Sequence, residues 1–260
     1  MCRWAAYLGA PIFVEEVVVH PAHSLIHQSQ GAEEAKTAIN ADGFGLAWYD
    51  HLPKPGLYRD VLPAWSDPNL RAIAEQVRSR LFLAHVRAST GSATSRNNCH
   101  PFTHGCWSFM HNGQVGGFER FRKHADMLIP DSHYSVRRGA TDSEVLFLLM
   151  HAEIERGTEP VAALAHATGA LVDLSRVHGA APHLRLSAAF SNGKTLWAAR
   201  YATDKHAPSV YYRWSESRQG WAVVSEPLEQ TEGDWTELAP GHVAQFHGAE
   251  VELQLFAPTV

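Results

Sequence analysis

The apolar positions of this chain follow a helical period in its middle and an alternating one towards its end. Asp67-Pro68 followed by Leu70, Ile73, Ala74 and Val77 reads as an N-cap, a proline in the first turn and one apolar helical face. The largely apolar run 81–86 behind it predicts a buried strand, and 107–111 predicts another. Thr141-Asp142-Ser143-Glu144 has the spacing of a capping box, and the apolar run 145–150 carries that helix to about Gly157. Thr158 and Pro160 open a second helix, with Val161, Leu164, Leu171 and Leu174 on its buried face. In the C-terminal third, the strand candidates 184–190 and 195–201 flank Asn192-Gly193, a hairpin signal. Further strands are expected over 209–214, 221–225, 242–246 and 251–256. Central helices between antiparallel-looking strands indicate an α+β fold, not a doubly wound parallel sheet. With no repeat and no Pro/Gly/Ser linker, residues 1–260 are expected to form one domain.

Composition narrows the function classes. Hydrophobic residues make up 45% of the 260 and charged residues 19%, enough for a sizeable core. A formal net charge of -5 argues against a nucleic-acid or anionic-membrane partner, either of which calls for a basic face. No apolar run reaches the roughly 18 residues of a membrane span. Glu15 and Glu16 interrupt the early apolar run, so no signal peptide is expected, and a lipidated Cys2 would need an apolar segment upstream of it. Three cysteines are too few, and odd in number, for a disulfide framework, which points to the reducing cytoplasm.

Cys2 directly follows the initiator methionine, whose removal would leave a thiol and a free α-amine on one residue. Alone, Cys2 reads more readily as a small apolar residue at a frayed end. Other short motifs have similarly plain readings. Asp42-Gly43-Phe44-Gly45 suits a turn into a strand, Asn112-Gly113 a hairpin turn, and Asp142 a helix N-terminus favoured by the dipole. Arg87, in the run Ala84 to Gly91 (AHVRASTG), is harder to explain as a surface residue because it follows the apolar strand directly.

In their order these motifs resemble the glutamine-hydrolysing domain of class II glutamine amidotransferases, which are N-terminal-nucleophile hydrolases. Cysteine after Met1 is followed by D-G-x-G, H-x-R-x-S-T, Asn98-x-His100-Pro101-Phe102, His111-Asn112-Gly113 and Thr141-Asp142-Ser143-Glu144. Ser225-Glu226-Pro227-Leu228 and Pro240-Gly241-His242 lie late in the chain, placed as in the stand-alone bacterial members. The resemblance implies a four-layer α/β/β/α sandwich and a small-molecule substrate, glutamine or another γ-glutamyl amide. It implies Cys2 as nucleophile, with the side-chain amide of Asn112 and the backbone N–H of Gly113 holding the oxyanion. The planar fork of Arg87 suits the substrate carboxylate and Asp142 its ammonium. An α-amine of pKa about 7.7–8.0 can take the proton of a thiol of about 8.5 without a histidine.

The resemblance departs at Ala88, where members that guard glutamine closely often carry a bulky aromatic. No cofactor is expected. Cys99, His100, His104, Cys106 and His111 lack the paired spacing of a structural zinc site, so no metal is expected there. Ser/His/Asp hydrolysis lacks its G-x-S-x-G elbow. Three functions stay open: a glutaminase feeding ammonia to a separate synthase subunit, a free-standing γ-glutamyl amide hydrolase as in ergothioneine biosynthesis, and a non-catalytic binding module on the same fold.

Overall fold

The computed structural model describes residues 2–34, 39–89, 93–229 and 235–258. Met1, whose removal is expected from the sequence, and Thr90-Gly91, the end of the AHVRASTG run, lie outside them. The chain begins with β1 (Arg3–Phe13), α1 (Glu15–Val18), α2 (Leu25–Gln30), β2 (Phe44–Tyr49), β3 (Gly56–Asp60), α3 (Pro68–Gln76) and β4 (Arg78–Val86). Next come β5 (Phe102–His104), β6 (Trp107–Val115), α4 (Phe118–Asp126), α5 (Asp131–Tyr134), α6 (Asp142–Glu155) and α7 (Pro160–His178). The remaining strands are β7 (Leu184–Ser191), β8 (Leu196–Ala202), β9 (Tyr211–Ser215), β10 (Gly220–Val224), β11 (Thr236–Glu237), β12 (His242–His247) and β13 (Glu250–Leu255). They form two antiparallel sheets, ordered β11-β9-β10-β1-β4-β2-β3 and β13-β12-β8-β7-β6-β5.

Strand alternation decides the layering. Trp4, Ala6 and Leu8 of β1 and Leu81 and Leu83 of β4 face the other sheet, where they meet Met110, Ala189 and Ala198. Ala5, Tyr7, Phe82 and Ala84, one position out of step, pack outward on Leu25, Leu70 and Ala74 of α2 and α3. On the second sheet Phe109, Ala188 and Phe190 turn outward onto α6 and α7, through Phe147, Leu164 and Leu171. The result is the expected α/β/β/α sandwich.

Two local expectations are corrected. Asn112-Gly113 is not a turn: β6 runs through it to Val115, with Gly113 opposite Leu186. A Cβ on Gly113 would lie 1.9 Å from the Arg185 carbonyl oxygen, so glycine is there because β7 approaches too closely for a side chain. The capping box is half formed. Thr141 Oγ1 accepts from the Glu144 N–H at 3.2 Å, but the Glu144 carboxylate turns to Arg137 (2.8 Å) and to the N–H groups of Arg138 and Gly139.

The start of β1 is held by a buried polar clamp. Arg3, 1% exposed, pairs with Glu226 at 2.9 Å. Glu226 also bonds the His23 ring at 2.6 Å and accepts the N–H groups of Glu33 and Glu34. Ser225 closes the same corner: its hydroxyl accepts the Trp4 N–H at 2.9 Å and its own N–H donates to the Trp4 carbonyl. Burial works to raise the Glu226 carboxyl, but His23, the two N–H groups and Arg3 together hold it below its ordinary value. Glu226→Gln leaves the Arg3 guanidinium buried without its anion and is expected to cost about 3–5 kcal/mol in denaturant unfolding. A depressed carboxyl stabilises the fold above its unfolded pKa of about 4.3 and loses that effect as pH falls through the folded value. The stability gap between wild type and Glu226→Gln should therefore close in acid. A gap of constant size down to acid unfolding would contradict this account.

Candidate active site

The register of the first sheet brings the first two candidate residues together. Arg3 pairs with Val86, so Cys2 arrives where β4 gives way to Arg87 and Ala88. The Ala88 N–H donates to Cys2 Sγ at 3.4 Å, and the thiol reaches the Ala88 carbonyl at 3.6 Å. Burial pushes the Cys2 thiol up, while the Ala88 backbone, Arg87 and Arg3 pull it the other way. Arg87 is 3% exposed. Its guanidinium donates to the Asp42 carbonyl (3.3 Å) and to Ser89 Oγ (3.0 Å), and the Asp42 carboxylate accepts the Ser89 N–H at 2.7 Å. The D-G-x-G motif thus braces the arginine. Its glycines give room for the segment crossing them, since a Cβ on Gly45 would meet the His100 carbonyl oxygen at 2.1 Å.

Alternation also places the third residue. Cys2 shares its strand face with Trp4, and Arg87 continues the face of Leu81 and Leu83, so both occupy inter-sheet positions. Asn112 continues the face of Met110 and stands opposite Ser187, whose hydroxyl accepts the Trp4 indole N–H at 3.1 Å. Cys2, Arg87 and Asn112 therefore occupy the same end of the space between the sheets. The Asn112 side chain is fully buried, and neither amide atom has a hydrogen-bond partner among the described residues. Leaving such a group unmet costs about 1–3 kcal/mol, which makes Asn112 a candidate for meeting a ligand.

Gly113 follows Asn112 on β6, and with Asp142 of α6 it lines a cleft of about 440 Å³ that Thr141, Phe118 and Arg122 also wall, and whose lining does not include Cys2, Arg87 or Asn112. Asp142 opens α6, and its carboxylate accepts the N–H groups of Val115 (2.7 Å) and Ser143 (2.8 Å). Each oxygen keeps a lone pair for a ligand cation.

Sequence reasoning gave no role to two residues that hold this arrangement. His111 Nε2 donates to the Arg185 carbonyl (3.1 Å), so Nδ1 must accept the Ser143 hydroxyl (2.9 Å), and the ring joins β6 to the first turn of α6. Burial holds this imidazole below its ordinary pKa and thus neutral, although the Asp142 charge opposes that shift. Asn98 spans the other side, donating to the Ala93 carbonyl (2.7 Å) and accepting the Ala140 N–H (2.8 Å). Both residues stood inside the quoted motifs; His111 directly follows a largely apolar run, which was the available signal, whereas Asn98 lies among polar residues and offered none. Of the histidine and cysteine cluster considered for zinc, Cys99 bonds the Asp60 and Ser95 carbonyls, and His100 stacks on His85 with ring centroids 4.3 Å apart.

Comparison with known proteins identifies the family. Residues 16–208 match the family model of glutamine amidotransferases class-II. A yeast protein, "Probable glutamine amidotransferase DUG3" of Saccharomyces cerevisiae, is 32% identical over 92% of this chain and 79% of its own length. The gamma-glutamyl-hercynylcysteine sulfoxide hydrolase of Mycolicibacterium smegmatis is 29% identical over 96% of this chain and 98% of its own. A solved glutamine aminotransferase class-II domain protein from Silicibacter pomeroyi superposes with a TM-score of 0.81 at 55% identity, covering 100% of both chains. Fold, motif order and these relatives agree: the chain belongs to the class II glutamine amidotransferase family.

Proposed function

We propose that this protein is an N-terminal cysteine amidohydrolase that cleaves a γ-glutamyl amide to glutamate, with glutamine first among its substrates. The single observation that carries the reading is the buried, unpartnered amide of Asn112 at the inter-sheet end that Cys2 also occupies. Residues 1–260 work as one catalytic domain. Removal of Met1 frees the Cys2 α-amine, which takes the thiol proton as sulfur attacks the γ-carbonyl. The Asn112 amide and the Gly113 N–H hold the oxyanion. Collapse breaks the C–N bond, the amine leaves with the proton, and water then cleaves the γ-glutamyl thioester. Arg87 takes the α-carboxylate and Asp142 the ammonium, so the γ-glutamyl end stays the same whatever the leaving group. The three free thiols suit a reducing cytoplasm.

A larger leaving group stands close behind ammonia. Ala88 puts no bulk beside Arg87 to close over glutamine, and the relative aligned over nearly its whole length is named for hydrolysing a γ-glutamyl compound of cysteine. Delivery of ammonia to a synthase subunit is the second form of the same chemistry.

Cys2→Ala is expected to abolish hydrolysis with the fold intact, and intact mass to show Met1 absent from active protein. Activity in protein that retains Met1 would refute the α-amine as base. Asn112→Ala should lower kcat by about 10²–10³ with little change in KM, the usual cost of one oxyanion donor. Arg87→Ala and Asp142→Asn should raise KM first, because they hold the substrate's ends and not its reacting carbonyl. An Asn112→Ala enzyme that merely binds more weakly would overturn this division of roles. Gly113 is no clean probe, since any side chain there collides with β7.

Competition between glutamine and γ-glutamyl-cysteine-type amides, read as kcat/KM, separates the two leaving-group classes. Purified protein with Cys2 confirmed at its N-terminus should hydrolyse at least one of them unaided. Silence toward all of them would favour an obligate partner or a binding-only role.

A further inference from the structure

Away from Cys2, four side chains from three elements converge near the C-terminal end of α6. His104 ends β5, His133 lies on α5, and His151 and Glu155 stand one turn apart on α6. His133 Nε2 is 2.9 Å from His151 Nδ1. The Glu155 carboxylate oxygens lie 3.5 Å from the first and 3.7 Å from the second. The His104 ring sits over the same point, its centroid 4.6 Å from that of His151 and 5.5 Å from that of His133. One ligand atom from each residue falls within 4.8 Å of all the others.

A hydrogen-bonded histidine pair with a nearby carboxylate would account for part of this, but not for a third imidazole aimed at the same space. Four donors held tetrahedrally at about 2.0–2.1 Å from zinc stand about 3.3–3.4 Å apart. The separations of 2.9, 3.5 and 3.7 Å, the last two from different Glu155 oxygens, bracket that value, and every other pair lies within 4.8 Å, so His104 and Glu155 must shift to close the geometry. Ser132 Oγ lies 3.0 Å from His133 Nδ1. Accepting that N–H leaves the Nε2 lone pair to the centre, which is the outer-shell arrangement of ligating histidines. Access is also provided: His133 and His151 are buried, whereas His104 is half-buried and Glu155 exposed, so an ion reaches the inner pair from solvent.

We propose that His104, His133, His151 and Glu155 bind one divalent transition-metal ion of the zinc class. Three imidazoles and one carboxylate suit zinc or its neighbours and disfavour calcium and magnesium, which take oxygen. Four protein ligands leave no position open, and nine residues of α6 put His151 about 14 Å from Asp142, so the ion is structural. It ties the β5–β6 corner and α5 to the helix that carries Asp142. The segment around Cys99 to His111 supplies only His104, and the other ligands come from the helices.

The test uses the whole protein, stripped with EDTA and titrated with Zn²⁺ and separately with Co²⁺. One equivalent of Zn²⁺ should bind and raise Tm, and Co²⁺ should show the intense visible bands of a four-coordinate site. His104→Asn and Glu155→Gln lie at accessible positions and should keep the native circular dichroism. Each should weaken binding more than about 10-fold. His133→Asn with His151→Asn should abolish binding, and if that double variant does not fold, the two single accessible variants decide. Absence of binding, weak octahedral Co²⁺ bands, or affinity unchanged in His104→Asn and Glu155→Gln would each overturn the proposal.

Discussion

The buried pairing of Arg3 with Glu226 is the constraint on which the site depends. A chain terminus ordinarily frays, because few contacts offset the entropy of ordering it. Here the residue after Cys2 carries a guanidinium that cannot lose its charge and is removed from water. It is tolerable only where Glu226, itself bonded to His23, and the Ser225 carbonyl meet it. A misplaced first strand would leave that charge unpaired, so the clamp selects one position for β1. Cys2, the proposed nucleophile, is placed with it, one residue before Arg3.

The second sheet is brought to Cys2 by polar ties that run along the motifs. Trp4 reaches across to Ser187, which lies opposite Asn112. His111 joins β6 to the first turn of α6, and Asn98 joins Ala140, just before that helix, to Ala93. Each tie is directional and wholly or partly buried, so it specifies geometry where apolar packing alone would tolerate sliding. The proposed catalytic and substrate-binding groups also sit on or beside strands and at a helix start, which favours a preorganised site.

How much of this was legible in the sequence depends on the kind of signal. The helix at Pro68–Gln76, the strand ending at Val86 and the C-terminal strands were readable because period and caps agree there. The layer order came through the family resemblance, since the strand β1, RWAAYLGAPIF, is apolar on both faces and hides its alternation. Asn112-Gly113 misled as a turn because glycine there answers to close approach of the Arg185 carbonyl, a long-range fact no local pattern contains. Glu144 misled as the return half of a capping box because Arg137 and two backbone N–H groups outcompete the Thr141 N–H for it. Ser225-Glu226 was recognised as a motif without a role, since its partner Arg3 lies at the other end of the chain.

The same reasoning explains why the histidine cluster could not be read from spacing. His151 and Glu155 stand at i and i+4, so the helix alone puts them on one face, yet within an apolar helix they pass for a buried residue and an exposed one. Their partners arrive from a strand end and a four-residue helix, elements with no periodic signature of their own. Helix α6 therefore carries two polar devices separated by a packed apolar stretch. Asp142 faces the cleft from its first turn, while His151 and Glu155 hold its far end against the β5–β6 corner. His111 ties the first turn of α6 to β6, and His151 meets His104 at the end of β5, the strand paired with β6, so the helix is held at both ends against the same pair of strands. Under the proposed roles this sets the spacing between Asp142 and the Asn112–Gly113 pair, and a helix anchored at two points holds such a spacing better than one anchored at its N-terminus alone.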